Sequence, residues 1–179
     1  GMTLPSSALE QMQRDYVEGA TALWNQTLQS SSTSTAAPPI ADRRFAAKDW
    51  SDNLGAAYTA QMYLLNASTL MRMAEAVQGD AKTKARLRFA VQQWVDAVAP
   101  SNFLALNPEA QQLALKTKGQ SLAAGMQLLL DDAGKGHVSQ TDESAFEVGR
   151  NVAATEGSVV FENELFQLIE YKPLGAEVY

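Results

Sequence analysis

Two sets of side chains in this sequence have the types and spacing that could do chemistry. His137, the single histidine, stands in GKGHVSQTDES beside Ser139, Asp142 and Ser144. A serine activated by a histidine that a carboxylate orients is the arrangement of acyl transfer. Glu162 and Glu164 lie two residues apart, and that spacing puts both on one face of a strand, where paired carboxylates can divide acid and base work or hold a divalent cation. Each set has a plainer reading. Triads are made by fold geometry rather than by neighbours in sequence, and a glycine-flanked loop preorganises nothing. Acids on the solvent side of a strand explain the glutamates equally well, and no further ligands converge on them. A surface histidine and solvated carboxylates are the favoured readings, with a small hydrolase using His137 or Glu162 and Glu164 as the alternative.

Two more clusters invite the same question. Lys82, Lys84, Arg86 and Arg88 open a helical pattern, but at helical spacing they form two stripes without interleaved aromatic residues, so a solvated face is expected rather than a nucleic-acid groove. Contact with phosphate groups, with acidic partners or with the acidic last third of the chain is the rival reading. The stretch SQTDESAFEVGRNVAATEG, Ser139 to Gly157, gathers Asp142, Glu143, Glu147 and Glu156 around Arg150. Thr141 or Asp142 can cap a helical turn, Phe146 and Val148 can anchor it in a core, Gly149 and Gly157 can supply backbone turns, and Arg150 can bind a carboxylate through its planar fork. This stretch reads as a polar hinge built on Asp142, Glu147, Gly149 and Arg150 rather than as a catalytic centre.

The elements that would position these residues follow from periodicity. Leu9, Met12, Tyr16, Leu23, Trp24 and Leu28 mark one face of an amphipathic helix within residues 2–30. SSSTSTAAPPI follows, with hydroxyls and two successive prolines, so residues 31–41 read as a flexible linker. That linker leaves the first helix two options: it can fold back onto the domain, or it can present Met12, Tyr16, Leu23 and Trp24 to another surface. A second helix runs from about Leu54 to Val77 through Tyr58, Met62, Leu65, Thr69 and Met73. A third starts at Asp80 and carries Leu87, Val91, Trp94 and Val98, antiparallel to the second. Asn107-Pro108-Glu109 opens a further helix that Gly119 interrupts and that Gly134 and Gly136 end. From Val159 the period becomes two, giving two short strands bent near Asn163 and closed by Pro173. The expected fold is mainly α: a bundle of about four to five helices over residues 42–157 and the N-terminal helix, then a β-hairpin in residues 158–179.

Composition narrows the function classes. The 179 residues are 46% hydrophobic and 19% charged, enough for one domain with a real core. The net charge is −6, and it is uneven: from Asp131 onward ten acids face three bases, whereas the residues up to Leu130 hold ten acids and eleven bases. An acidic chain is poorly suited to nucleic acid or anionic lipid. Without cysteine there is no disulfide, thiolate metal site or thiol nucleophile in this sequence. The opening residues lack the basic and apolar regions of a signal peptide, and no run of eighteen apolar residues marks a membrane span, so a cytoplasmic protein is expected. Gly1 before Met2 reads as the remnant of a cleaved expression tag.

Several long strings carry a resemblance. DRRFAAKDW (Asp42 to Trp50), YLLNA (Tyr63 to Ala67), RFAVQQWVDAVAPSNFLALNPEAQ (Arg88 to Gln111) and SQTDESAFEVGRNVAATEGSVVFENELFQLIEYKPL (Ser139 to Leu174) resemble the N-terminal region of class I poly(3-hydroxyalkanoate) synthases, with a looser likeness in RDYVEGATALW. The resemblance implies a bacterial polymerase that joins (R)-3-hydroxyacyl units from coenzyme A thioesters into storage polyester. Its cysteine, in a lipase-like G-x-C-x-G elbow, sits on an α/β-hydrolase domain with an Asp and a His. None of that apparatus is assembled here, so the resemblance implies a non-catalytic N-terminal domain, with no cofactor or metal, whose hairpin leads into the hydrolase sheet beyond Tyr179. The implied partners are that catalytic domain, a second copy, and the polyester granule surface or a granule-associated protein, which places the chain in the cytoplasm at the granule. A free-standing granule adaptor is the alternative outside catalysis.

Overall fold

The computed structural model describes residues 2–33 and 36–176. Among the described residues six α-helices precede a two-stranded sheet: α1 Ser6–Thr33, α2 Lys48–Asp52, α3 Leu54–Ala76, α4 Ala81–Ala97, α5 Pro108–Lys116, α6 Gln120–Lys135, β1 Gly157–Glu162 and β2 Gln167–Tyr171. The short α2 is the addition to the expected helices; its five residues are too few for periodicity to register. The chain divides into two compact units, residues 1–124 and 125–179.

In the first unit α3 is the central helix, flanked by α1 and α4. Its starts and neighbours are fixed by local chemistry. The Asn53 side chain accepts from Ala56 N, Asp80 caps α4 by accepting from Thr83 N, and Asn107 caps α5 by accepting from Ala110 N, each satisfying a backbone donor that the first turn leaves unpaired. Asn102 closes the other end of α4, donating to the carbonyls of Asp96 and Ala97. The turn between Ala76 and Ala81 reverses the chain, so that Arg88 of α4 lies beside Glu75 while the Tyr63 hydroxyl donates to the Val95 carbonyl.

α3 uses two faces, which explains why a single apolar stripe described it incompletely. The stripe expected from the sequence, with Tyr58 and Leu65, faces α1: Trp24 packs edge-on against Tyr58 at 6.0 Å, and Gly19 lets α1 approach Leu65. The opposite face is built of small residues, Ala60 and Ala67, around Tyr63, and it forms the core with Phe45, Trp50, Val95 and Ala99. Alanine counts weakly in a hydrophobic pattern, yet it is what allows helices to approach closely. On α4 the expected stripe shifts as well. Val95 is buried at 3% exposure and Leu87 and Val91 are half-buried, whereas Trp94 and Val98 stand out at 57% and 37%. The true seam steps by four residues, from Leu87 through Val91 and Val95 to Ala99.

Phe45 and Trp50 are the largest fully buried side chains and pack edge to face at 4.8 Å. At about 25 cal/mol per Å² and roughly 200 Å² of ring surface, burying Trp50 contributes about 5 kcal/mol as an upper estimate. Its Nε1 has no hydrogen-bond partner among the described residues, which offsets about 1–3 kcal/mol of that.

The stretch expected to be a flexible linker is shorter and better anchored than residues 31–41. α1 continues to Thr33, helped by Ser32 and Thr33 hydroxyls that donate back to the Gln29 carbonyl. Ser34 and Thr35 lie outside the described residues. Beyond them Ala37 N donates to Ser51 O at 3.1 Å, and Ile40 packs on the core.

In the second unit β1 and β2 pair antiparallel around Asn163, whose side chain accepts from Leu165 N and Phe166 N. A bulge between Val159 and Phe161 breaks the expected alternation. Val159 pairs with Ile169 but Phe161 pairs with Leu168, so the extra residue moves Phe161 to the face opposite Val159. Gly157 is not a turn residue. It begins β1, and a Cβ there would meet the Glu170 carbonyl at 2.9 Å, so only glycine fits the close pairing of the two strands.

Candidate functional site

The structure separates the residues that could have formed a catalytic centre. His137 donates through Nε2 to Glu143 Oε1 at 2.9 Å, and its Nδ1 lies 3.3 Å from the Lys135 carbonyl. The bond to Glu143, then the charge of that carboxylate, hold the imidazole pKa above its ordinary value. The serines expected beside it are occupied elsewhere: Ser139 accepts from Lys135 Nζ, and Ser144 donates to Asp142 at 2.6 Å. Both ring nitrogens are engaged and the side chain is 53% exposed, and neither nitrogen bonds a hydroxyl among the described residues.

The Glu162 and Glu164 pair is corrected outright. Glu162 ends β1, whereas Glu164 lies in the turn, so the two do not share a strand face. No group of three or more metal-binding side chains converges among the described residues. Of the basic run, Arg88 pairs with Glu75 at 3.4 Å, and Lys82, Lys84 and Arg86 enter no ion pair among the described residues.

Of the expected hinge residues the structure joins Glu147 and Arg150, while Asp142 acts on its own turn. Asp142 caps the 3-10 turn Glu143–Ala145 by accepting from Ser144 N, and its carboxylate is held below the ordinary range chiefly by the Ser144 hydroxyl. Arg150 donates to Glu147 at 3.1 Å, and Gly149 takes a φ of 85°, the left-handed region that glycine enters without strain. The organiser of the turn is a residue the sequence reading passed over. Asn151 accepts from Glu147 N at 2.7 Å and donates to the Ala145 carbonyl at 2.8 Å. The expected anchors are corrected: Phe146 and Val148 are 56% and 82% exposed, because no element of this unit covers them.

The first helix divides its apolar residues. Met12 is buried, and Tyr16 and Leu23 are half-buried on the side of α1 that packs on α3. Trp24, though it touches Tyr58, stays 53% exposed. Two polar ties fix the contact with α3: the Tyr16 hydroxyl donates to Asn66 at 2.9 Å, and Arg72 donates to Asp15 at 2.6 Å, holding that carboxylate below its usual range. Of the two options for the helix, folding back is the one adopted. Between α1 and α4 an open groove of about 310 Å³ runs over α3, lined by Tyr16, Asn66, Leu70, Trp94 and Val98 among others.

DRRFAAKDW forms a clamp that sequence reasoning did not identify. Arg44 donates from Nε and Nη2 to the two Asp42 oxygens at 3.0 and 2.9 Å, and from Nη1 to the Tyr63 hydroxyl at 2.8 Å and to Asp96 at 3.1 Å. Its guanidinium lies 5.2 Å from the Tyr63 ring centroid and 5.8 Å from that of Phe45. An Asp two residues before an Arg beside aromatic residues was the available signal. Burial raises the Tyr63 pKa, opposed by Arg44. Four of the five guanidinium N–H groups of Arg44 are directed at Asp42, Tyr63 and Asp96, which makes the clamp a structural joint between residues distant in sequence.

The hairpin is the remaining surface. Val159, Phe161, Phe166, Leu168, Ile169 and Tyr171 are each 45% to 55% exposed, and Leu165 and Leu174 more so. No helix among the described residues is long and apolar enough to cross a membrane.

Comparison with known proteins identifies this chain's relatives. Residues 41–179 match the model of the poly-beta-hydroxybutyrate polymerase (PhaC) N-terminus. The whole chain is 50% identical to the poly(3-hydroxyalkanoate) polymerase subunit PhaC of Cupriavidus necator, covering 30% of that protein. It is 40% identical over 94% of its length to the poly(3-hydroxyalkanoate) polymerase of Methylorubrum extorquens, covering 29% of it. It is 43% identical over 77% of its length to poly(3-hydroxyalkanoate) polymerase 2 of Ectopseudomonas oleovorans, covering 25% of it. No solved structure matches the chain. The chain thus spans under a third of the relatives it matches, and it belongs to the poly-beta-hydroxybutyrate polymerase (PhaC) N-terminus family.

Proposed function

We propose that this chain is the non-catalytic N-terminal domain of a cytoplasmic polyhydroxyalkanoate polymerase that joins (R)-3-hydroxyacyl units from coenzyme A thioesters. In this reading it supports the catalytic domain, its dimerisation and its attachment to the polyester granule. The observation that carries it is the hairpin. Two strands with large apolar side chains on both faces need cover on both faces, and the polymerases that the chain matches are more than three times its length. The hydrolase sheet of the catalytic domain is the proposed cover.

The test is co-expression of this chain with the remainder of its polymerase. The pair should purify as a complex and make polymer. Phe161→Asp combined with Ile169→Asp should abolish both while leaving the helical circular dichroism unchanged. The purified chain alone should release no coenzyme A from 3-hydroxybutyryl-CoA. Turnover by the chain alone, or full assembly with the doubly charged hairpin, would sink the reading.

A further inference from the structure

The start of α4 is charged against its own interest. Lys82 and Lys84 stand in the first turn, where the positive end of the helix dipole disfavours cations, and no acid beyond the Asp80 cap shares that turn. Lys82 and Arg86 are also like charges four residues apart, as are Lys84 and Arg88, a second unfavourable spacing. Glu75 relieves Arg88, whereas Lys82, Lys84 and Arg86 enter no ion pair among the described residues. Phe89 joins them at 66% exposure, adding little to the core. Local costs that the fold does not offset are the mark of a surface kept for function.

Helix geometry gathers part of this set on one face. The seam through Leu87, Val91 and Val95 points inward; at about 100° per residue, Lys82, Arg86, Phe89 and Gln93 fall together on the opposite side, and all four are exposed. Phe89 thus supplies the aromatic residue that the basic run seemed to lack. We propose that this face docks an acidic amphipathic helix of a protein partner, with carboxylates against Lys82 and Arg86 and an apolar side chain against Phe89. The steps of four, three and four residues are the rhythm of a contact between helices, and the face is about 17 Å long, three turns of a partner. A carboxylate set beside Lys82 answers the dipole and the like-charge pair at once. The residues up to Leu130 hold ten acids and eleven bases, so the attraction comes from this face rather than from net charge, and salt screens it. The outer side of a helix is convex and offers no pocket to a small phosphate ester. Duplex nucleic acid carries a charge every 1.7 Å or so, roughly, and two cations answer too few of them. One phenylalanine is too little apolar surface to hold a helix in a lipid interface. The inference is independent of the domain role given above.

Fluorescence anisotropy with the full 179-residue chain tests it. The probe is a labelled helical peptide with glutamates flanking a leucine stripe, and the control is the same peptide with lysines in place of the glutamates. The glutamate peptide should bind, more weakly as salt rises, and the lysine peptide should not. Lys82→Glu/Arg86→Glu should weaken the glutamate peptide by about tenfold or more and switch preference to the lysine peptide. Phe89→Ser should weaken binding by about tenfold without altering its salt dependence. Circular dichroism should show both variants folded, since the altered side chains are exposed. Amide shifts of the unaltered chain with the glutamate peptide should centre on Lys82 to Gln93, which decides the matter even where a variant unfolds. No binding, equal binding of the two peptides, shifts centred elsewhere, or a charge-reversed variant with unchanged preference would overturn the proposal. So would a duplex oligonucleotide that binds this face where the glutamate peptide does not, which would assign it to phosphate. Each of these results leaves the proposed domain role to its own test on the hairpin.

Discussion

Replacing Arg44 by Met is the sharpest test of how the helical unit is held together. Met keeps the aliphatic stem that lies against Phe45 and Tyr63 and removes the charge and its donors. The two bonds to Asp42 join side chains 28% and 23% exposed, so solvent screening limits that fork to about 1 kcal/mol. The bond to Asp96, a side chain 51% exposed, adds about 0.5 kcal/mol. The bond to the Tyr63 hydroxyl adds about 1 kcal/mol; that hydroxyl still donates to the Val95 carbonyl, so no buried donor is orphaned. Two ring contacts add about 0.5–1 kcal/mol together. The expected loss is about 3 kcal/mol, read as a lower urea midpoint at unchanged slope. Arg44→Lys should lose about half as much, keeping charge without the fork. Acid should act on the same joint. Arg44 holds the Asp42 carboxyl below its ordinary value, so the contribution is complete above about pH 4 and is lost as pH falls through the lowered value. The gap between wild type and Arg44→Met should therefore narrow as pH falls below about 4. A loss under about 0.5 kcal/mol for Arg44→Met would refute the reasoning, since effects of that size are ordinary for surface changes.

Three further outcomes follow from particular contacts. On α4, Val95→Ala should cost about 2 kcal/mol while Trp94→Gln costs under about 1 kcal/mol, because the small residue is buried and the large one is not; urea unfolding compares them. An NMR titration should find the His137 imidazole above its ordinary pKa, and Glu143→Gln should bring it back; the His137–Glu143 pair is present at low pH and is lost as pH rises through the raised value. Asn151→Ala should raise amide exchange at Glu147, whose N–H it would leave without its 2.7 Å partner, and Gly149→Ala should cost about 1 kcal/mol for a left-handed backbone.

Helix starts were the most legible features, since a cap is a local bargain between one side chain and a few backbone donors. Asp80, Asn107 and Asp142, read as caps from the sequence, each have that bond in the structure, and Asn53, which was not read as one, caps α3 in the same way. What periodicity could not supply was which face meets which neighbour. α3 has two neighbours, and the face built of Ala60 and Ala67 looks featureless to a hydrophobicity count while it forms the core. Trp94 drew attention by size and lies on the rim of a groove instead. The Arg44 clamp joins residues 19 and 52 positions apart in sequence, and no local pattern encodes such a contact. The bulge near Val160 is a single residue, yet it reverses the faces of everything before it in β1, while the carboxylates fail as a pair because the strand ends at Glu162 and leaves Glu164 in the turn.

The two units differ in what their own residues can cover, and that difference bears on the proposed role. In the first unit the large aromatic residues Phe45, Trp50 and Tyr63 are sealed by alanines and by Val95. From Gly125 to Ala176 no described residue is buried, although the segment contains three phenylalanines, several leucines and valines, and Ile169. An antiparallel sheet with one wet face alternates apolar and polar residues. Here the bulge distributes Val159 and Ile169 to one face and Phe161, Phe166 and Leu168 to the other, so neither face is polar. A hairpin of that composition cannot recover its ordering entropy from water-exposed side chains. Its sequence makes physical sense as two strands of a larger sheet covered on both sides, which is the environment that a hydrolase domain would provide.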